Sequence, residues 1–162
     1  MKIMIVTPYF APKVGGLENY AFNIAKGLQR KGNDVFIVTS NHFGEGKLED
    51  EIEGLRVIRL AVLFKFSNTP LNPLWYFQLR KIIKIEMPDV INAHAPVPGL
   101  ADLAVAASGS VPTILTYHAA TLRKPGSIIF NIVAKFYEII QRPTFIKATG
   151  LIAVSDYVKQ SL

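Results

Sequence analysis

Two unbroken apolar runs, Ile3–Val6 and Val35–Val38, most constrain what this chain can fold into. Each is too short for a helix and carries no polar alternation, so neither suits a sheet with one wet face. Such a run fits a strand covered on both sides, as in a parallel sheet packed between helices. The first run leads through a Pro-rich stretch to Gly15–Gly16. There a helical pattern begins, with Leu17, Ala21, Ile24, Ala25 and Leu28 on one face.

The same alternation can be followed to the end of the chain. Lys2–Val6 is strand one, and helix one runs from Gly16 to Lys31, with Gly32 placed to end it. Strand two ends in Thr39–Ser40–Asn41–His42. Phe43 to Gly54, rich in glycine and acidic residues, reads as an exposed loop or a minor hairpin. Leu55–Leu60 is strand three, and Ala61–Leu71 shows no clear period. Asn72–Pro73 starts a helix that reaches Glu86. Trp75, Leu79, Ile82 and Ile83 form its core face, and Phe77 lies opposite among Arg80, Lys81 and Lys84. Pro88 stops it.

Asp89–Ala93 is strand four, followed by a loop from His94 to Pro98. A small-residue helix from Gly99 to Ala107 leads to strand five, Pro112–Thr116, and then to Tyr117–His118–Ala119–Ala120. Ser127 caps a helix to about Gln141, with a wide apolar arc of Ile129, Ile132, Val133, Phe136 and Ile140. Pro143 breaks that helix. Gly150–Val154 is strand six, and Ser155 caps a last helix reaching Leu162. The expected fold is α/β: a three-layer, Rossmann-like domain with a mostly parallel sheet of six to seven strands and right-handed crossovers.

The totals agree with one globular domain. The 162 residues are 50% hydrophobic and 19% charged, enough to bury a sizeable core. The net charge of +6 suits an anionic partner, namely a nucleotide, a phosphorylated substrate or an acidic membrane surface. With no cysteine, disulfide frameworks and thiol chemistry are excluded. The N-terminus shows no secretory pattern, and the longest charge-free run, Leu103–Leu122, is broken by Gly109 and Pro112. A cytoplasmic protein, soluble or peripheral at the inner face of the membrane, is the expectation.

In a doubly wound sheet of order 3-2-1-4-5-6, ligands bind beyond the carboxyl ends of the strands, near the order reversal. The Gly15–Gly16 loop, His94, His118 and Ser155 would share that edge. Two glycines at a helix start admit another group to bare backbone, and the helix end favours an anion. His94 and His118 each have a structural reading beside a functional one. A neutral imidazole at His118 would orient a substrate hydroxyl. The three histidines lack metal-ligand spacing.

Other sites on this architecture are unsupported. The loop has no GxGxxG, and strand two ends in Thr39–Ser40 without the acidic residue that binds NAD ribose. No GxxxxGK[ST] and no GxSxG occurs.

An ordered set of motifs spans nearly the whole chain. It comprises Pro8–Pro12 with Gly15–Gly16–Leu17–Glu18, Ala25–Leu28, Lys31–Val35, Pro88–His94, Pro112–His118 and Ile152–Ser155. This set resembles the N-terminal domain of the retaining glycosyltransferases of family 4, which have the GT-B fold. The resemblance implies two Rossmann-like domains across a cleft. The N-terminal one mainly binds the acceptor, and the C-terminal one binds a nucleotide-sugar donor through an E-x7-E motif and basic residues. It implies that Gly15 and Gly16 approach the donor diphosphate and that His118 lies near the reacting sugar as a catalytic group. Tyr9, Glu18, His94 and Ser155 are then the acceptor-side candidates. The nucleotide sugar is a substrate, so no cofactor and no metal are expected, and no nucleic-acid partner is implied.

No donor half occurs within residues 1–162, so the expectation is an acceptor-side domain, excised or part of a split enzyme, that does not catalyse transfer alone. The alternative is a non-catalytic module that partners a separate donor-binding chain. A sugar-nucleotide epimerase half would need an acid/base pair that the sequence does not show. Many relatives act on lipid-linked acceptors. Phe77 amid Arg80, Lys81 and Lys84, with Leu63, Phe64 and Phe66, is a candidate contact with the inner face of a membrane; ordinary packing beside a solvated basic face is the other reading.

Overall fold

The computed structural model describes residues 1–44, 46, 48–66, 69–119, 126 and 128–161, without the side chains of 128–130. Ser127, Ala120, Leu162 and the side chain of Ile129, all assigned above from sequence, lie outside the described residues.

Nine strands are described: β1 (Lys2–Thr7), β2 (Asp34–Asn41), β3 (Leu48–Ile52), β4 (Leu55–Ala61), β5 (Phe64–Phe66), β6 (Thr69–Leu71), β7 (Val90–Ala95), β8 (Thr113–Tyr117) and β9 (Gly150–Ala153). Seven form one sheet in the order β3-β4-β2-β1-β7-β8-β9. Every neighbouring pair is parallel except β3 with β4. The six expected strands stand in the expected order, and the acidic stretch adds β3 as an antiparallel edge. A charged edge strand discourages pairing with other chains.

Six helices are described: α1 (Gly16–Arg30), α2 (Trp75–Glu86), α3 (Leu100–Ala107), α4 (Ile128–Ile140), α5 (Arg142–Lys147) and α6 (Asp156–Lys159). They cover the sheet from both sides. Ala21 and Ala25 of α1 pack on Ile3, Ile5, Val35, Ile37, Leu55 and Val57. Trp75, Leu79, Ile82 and Ile83 of α2, with Leu100, Ala101, Ala104 and Val105 of α3, pack on Met4, Val6, Phe36, Val38, Ile58 and Leu60 on the other face. Odd-numbered positions of β1 and β2 face α1 on Ile3, Ile5, Val35 and Ile37, and the even-numbered ones face α2 and α3, the period of two of a pleated strand.

The structure departs from the sequence reading at two places. The stretch without a period holds a two-stranded antiparallel hairpin, β5–β6. Asn72 is not the residue that directly caps α2. Its Oδ1 accepts from Leu74 N–H at 3.0 Å, its Nδ2 donates to Ala61 O at 2.9 Å, and the helix begins three residues later. As expected, the helix stops before Pro143: α4 ends at Ile140, and Pro143 sits in the first turn of a separate helix, α5, where its missing N–H costs nothing. The wide apolar arc of α4 is left exposed. Ile132 and Phe136 are each 64% exposed, and Ala134 and Tyr137 are the buried residues.

Candidate functional site at the carboxyl edge of the sheet

His94 is the next departure. It belongs to β7 and is not in the loop that follows, because the pairing with β8 continues through His94–Thr116 and Ala95–Tyr117. Ala93 and Ala95 face α2 and α3, so His94 points to the α1 side and is fully buried. Thr116 is placed likewise, between Leu115 and Tyr117.

Register turns these single residues into a row. Thr7 pairs with Thr39, and Thr39 pairs with Arg59. Val6 pairs with Ala93, which sets Thr7 beside His94 one step further on. Arg59, Thr39, Thr7, His94 and Thr116 therefore cross the sheet on the α1 side, all buried, at the level where the apolar core gives way to the carboxyl edge. Buried polar groups of this kind are informative, because each must find a partner or cost stability.

Part of the row holds the loop that leads to the glycines. Thr7 Oγ1 donates to Tyr9 O at 2.9 Å, Arg59 Nη2 donates to Ala11 O, and the neighbouring Ser40 Oγ donates to Pro8 O. Three strands thus grip three carbonyls of one short loop, while Phe10 plugs the α1-side core and contacts Phe22. A loop tethered this way presents its backbone in a fixed position. Arg59 also meets Asp50 at 3.3 Å and lies 5.0 Å from the centre of the Phe43 ring.

At the loop's end, Gly15 is the extended residue before α1 and Gly16 the first helical one. A Cβ on Gly15 would collide with the Glu18 carboxylate, whereas one on Gly16 would meet nothing within 4 Å. The two glycines therefore differ. Gly15 makes room for a buried side chain of this protein, and Gly16 leaves open space beside a helix N-terminus whose first N–H groups have no intrahelical partner. Glu18 is buried with Lys13 Nζ at 3.9 Å from its Oε1, and the same ammonium lies 3.2 Å from the centre of the Tyr9 ring. Burial first, and the Glu18 charge second, raise the Tyr9 phenol above its ordinary value.

Across α1 lies the imidazole pair. His94 Nδ1 and His118 Nε2 are 3.0 Å apart, with their rings tilted by 30°. Tyr20 sets its ring edge-on to both, at 4.9 Å from His118 and 5.9 Å from His94. His118 is partly exposed, and its N–H donates to Ala95 O at 2.9 Å. Burial holds His94 down at about 3, with the His118 charge a lesser cause, and burial holds His118 at about 4. Both rings are neutral at pH 7, as an orienting imidazole requires.

Ser155 is exposed and follows β9 on the same edge, where its Oγ accepts from Val158 N–H at 3.3 Å and caps α6. No contact joins it to the imidazoles among the described residues. His42 is half-buried, with Nδ1 3.2 Å from Ser40 O and a ring contact to Tyr9 at 6.2 Å. Lys13, Tyr20 and Arg59 went unnoticed in the sequence. Tyr20 was findable, because it lies three residues after Leu17 and four before Ile24, at the margin of the core stripe. Among the described residues no group of three or more His, Asp or Glu side chains could hold a metal ion.

The profile of Glycosyltransferase Family 4 matches residues 14–162. A phosphatidyl-myo-inositol mannosyltransferase of Mycolicibacterium smegmatis is 26% identical over 164 residues, covering 99% of this chain and 40% of the relative. An O-antigen chain mannosyltransferase C of Escherichia coli is 28% identical over 157 residues, covering 94% of this chain and 39% of the relative. The chain thus spans about two fifths of the length of these relatives. Among solved structures, a UDP-GlcNAc 2-epimerase from Methanocaldococcus jannaschii superposes with a TM-score of 0.60 at 15% identity, over 99% of this chain and 41% of that one, a likeness of fold alone.

Proposed function

The chain belongs to Glycosyltransferase Family 4, and from that premise we propose that it is the acceptor-side domain of a retaining glycosyltransferase. The enzyme would move a sugar from a nucleotide-sugar donor to an acceptor. The observation that carries this reading is the convergence, on one carboxyl edge, of a tethered Gly15–Gly16 loop and a neutral His118–His94 pair. Open backbone at Gly16 and the N-terminus of α1 suit the donor diphosphate. A partly exposed neutral imidazole at His118 suits a hydroxyl of the transferred sugar. Tyr9, Glu18 and Lys13 line the approach from the loop side, where they would meet the acceptor. His94 lies behind His118, and Ser155 at the margin of the same edge. No metal is needed in this scheme, since the helix end and basic residues of a second domain would carry the diphosphate charge.

Both relatives described above are named as mannosyltransferases, so a nucleotide-activated mannose is the first donor to test. The name of the first relative points to a lipid-linked acceptor. The exposed Phe77 among Arg80, Lys81 and Lys84, together with Leu63, Phe64 and Phe66, supports a contact with the inner face of a membrane. Among the described residues no helix is long and apolar enough to cross one.

The test is transfer by a full-length protein containing this domain, compared with the chain alone. Transfer is expected from the former only, and robust turnover by residues 1–162 would overturn the two-domain reading. A Cβ on Gly16 meets nothing within 4 Å, so Gly16→Leu should fold and still lower kcat/KM by about tenfold or more by blocking close approach to the diphosphate. His118→Ala should lower kcat by about 10²-fold, beyond the modest loss of thermal stability that follows from taking away the hydrogen-bond partner of buried His94. Unchanged kinetics in both variants would sink the assignment of this edge.

A further inference from the structure

His94 cannot touch a ligand. It is fully buried, one ring nitrogen faces His118, and the other, Nε2, is buried with no hydrogen-bond partner among the described residues. That stranded nitrogen decides how the pair shares its protons.

A hydrogen bond between two neutral imidazoles needs one N–H and one lone pair, which allows two arrangements. In the first, His118 Nε2–H donates to His94 Nδ1. The His94 proton is then forced onto Nε2, leaving a buried N–H with no acceptor. In the second, His94 Nδ1–H donates to His118 Nε2. His94 Nε2 then keeps only an unpaired lone pair, and the His118 proton is forced onto Nδ1. Either defect costs on the order of 1–3 kcal/mol, but folded proteins leave a buried N–H without an acceptor more rarely than they leave a lone pair without a donor, which favours the second arrangement. Tyr20 packs edge-on against both rings and opposes the ring turn that would exchange their nitrogens.

We infer that His94 is a positioning residue that fixes His118 as its Nδ1–H tautomer, so that His118 meets an oxygen of the substrate as a hydrogen-bond donor. The depressed proton affinity of both rings supports this by keeping each neutral near pH 7. With its Nε2 lone pair engaged and its Nδ1 protonated, His118 has no free lone pair to act as a base. It can only donate, which fits the hydroxyl or diphosphate oxygens of a nucleotide sugar. That consequence rests on the functional reading above, whereas the tautomer itself does not.

Two-bond ¹H–¹⁵N correlation spectra of the ¹⁵N-labelled chain at pH 7 read the tautomer directly. The expected result is an Nδ1–H pattern for His118 and for His94. In His94→Leu, with the backbone spectrum otherwise preserved, the His118 Nε2–H form should rise from the minor to the major species, as in a free imidazole side chain. In His94→Asn, an amide N–H stands near the lost Nδ1 and should restore the Nδ1–H form. A wild-type His118 protonated on Nε2 would overturn the inference even if no variant folds, and so would an unchanged His118 in a folded His94→Leu. The spectra need neither donor nor acceptor. Loss of sugar transfer with the Nδ1–H pattern intact would therefore strike the functional reading and leave this one standing.

Discussion

Two regions of this molecule invert the usual partition of polar and apolar groups. At the carboxyl edge beneath α1, the chain buries Arg59, Thr39, Thr7, His94 and Thr116. On α4, it exposes Ile132, Val133, Phe136, Ile139 and Ile140. Both depart from what burial alone would favour, and they teach different things. Polar groups taken out of water cost stability unless partnered; Thr7, Thr116 and one nitrogen each of Arg59 and His94 are hydrogen-bonded here, whereas Thr39 Oγ1 and His94 Nε2 are not among the described residues, so the first region is kept at a cost in stability. Apolar groups left in water are an unsatisfied surface, so the second marks contact with something else.

The attachment of α4 shows how a helix can stay in place with its apolar arc outward. Asp102 of α3 accepts from Gly99 N–H at 3.1 Å, Tyr137 Oη at 2.8 Å and Thr144 Oγ1 at 2.9 Å. One carboxylate thus caps α3, anchors α4 and ties down α5. Burial, and then the Asp102 charge, push the Tyr137 phenol up, which keeps it protonated as a donor. Asp102→Ala should have the largest effect on stability, about 3 kcal/mol, because two buried hydroxyls and a cap lose their acceptor together. Urea unfolding measures it. A loss under about 1 kcal/mol would mean that α4 is held by its apolar contacts after all, and the contrast between the two regions would collapse.

The buried row can be tested through pH. An unfolded histidine takes up a proton near its ordinary value of 6.5, whereas in the fold His94 stays neutral down to about 3 and His118 to about 4. Between those values the unfolded state holds more protons, so stability falls as pH falls. The contribution is complete above about 6.5 and drains away on the way down to the folded values. His94 alone gives a slope approaching about 1.4 kcal/mol per pH unit, and the partly exposed His118 adds less. Unfolding free energies at pH 7, 6 and 5 isolate the histidines. Glu86, held low by its hydrogen bond to Lys2 and the pairing with Arg56, starts to lose its contribution only as pH falls through the ordinary carboxylate value of 4.5, below this window. A flat profile from 7 to 5 would show that the imidazoles are not buried as a neutral pair.

How much of this was legible before folding differs between the regions. The apolar runs at Ile3–Val6 and Val35–Val38 state their own burial, and with the topology rules they led to the order of the parallel strands. The core face of α2 followed from spacing alone. The polar row did not, because no strand contains it. It exists only through the registers that bring Thr7, Thr39 and Arg59 side by side and continue β7 through His94. The resemblance singled out His118 and the glycines, yet the 3.0 Å contact behind His118 depends on that same register. For α4, periodicity located an apolar arc correctly but could not say what covers it. In the fold that arc is exposed, and Ala134 and Tyr137 are buried.

The exposed apolar side is where the smallest stability effect and the sharpest binding effect should coincide. Phe77 is 67% exposed on the basic face of α2, and Ile132 is 64% exposed on α4. Neither contributes much to the core, so Phe77→Ser and Ile132→Ser should each change unfolding free energy by less than about 0.5 kcal/mol. Flotation with phosphatidylglycerol vesicles separates their roles. If Phe77 among Arg80, Lys81 and Lys84 is an interfacial contact, the wild-type chain prefers anionic over neutral vesicles, and Phe77→Ser weakens that preference. If α4 belongs to the same surface, Ile132→Ser weakens it equally. A loss confined to Phe77→Ser would assign the membrane to α2 and leave α4 for a protein partner. A wild-type chain indifferent to vesicle charge would remove the membrane reading from both, and the buried polar row would remain the only one of the two inversions with an assigned role.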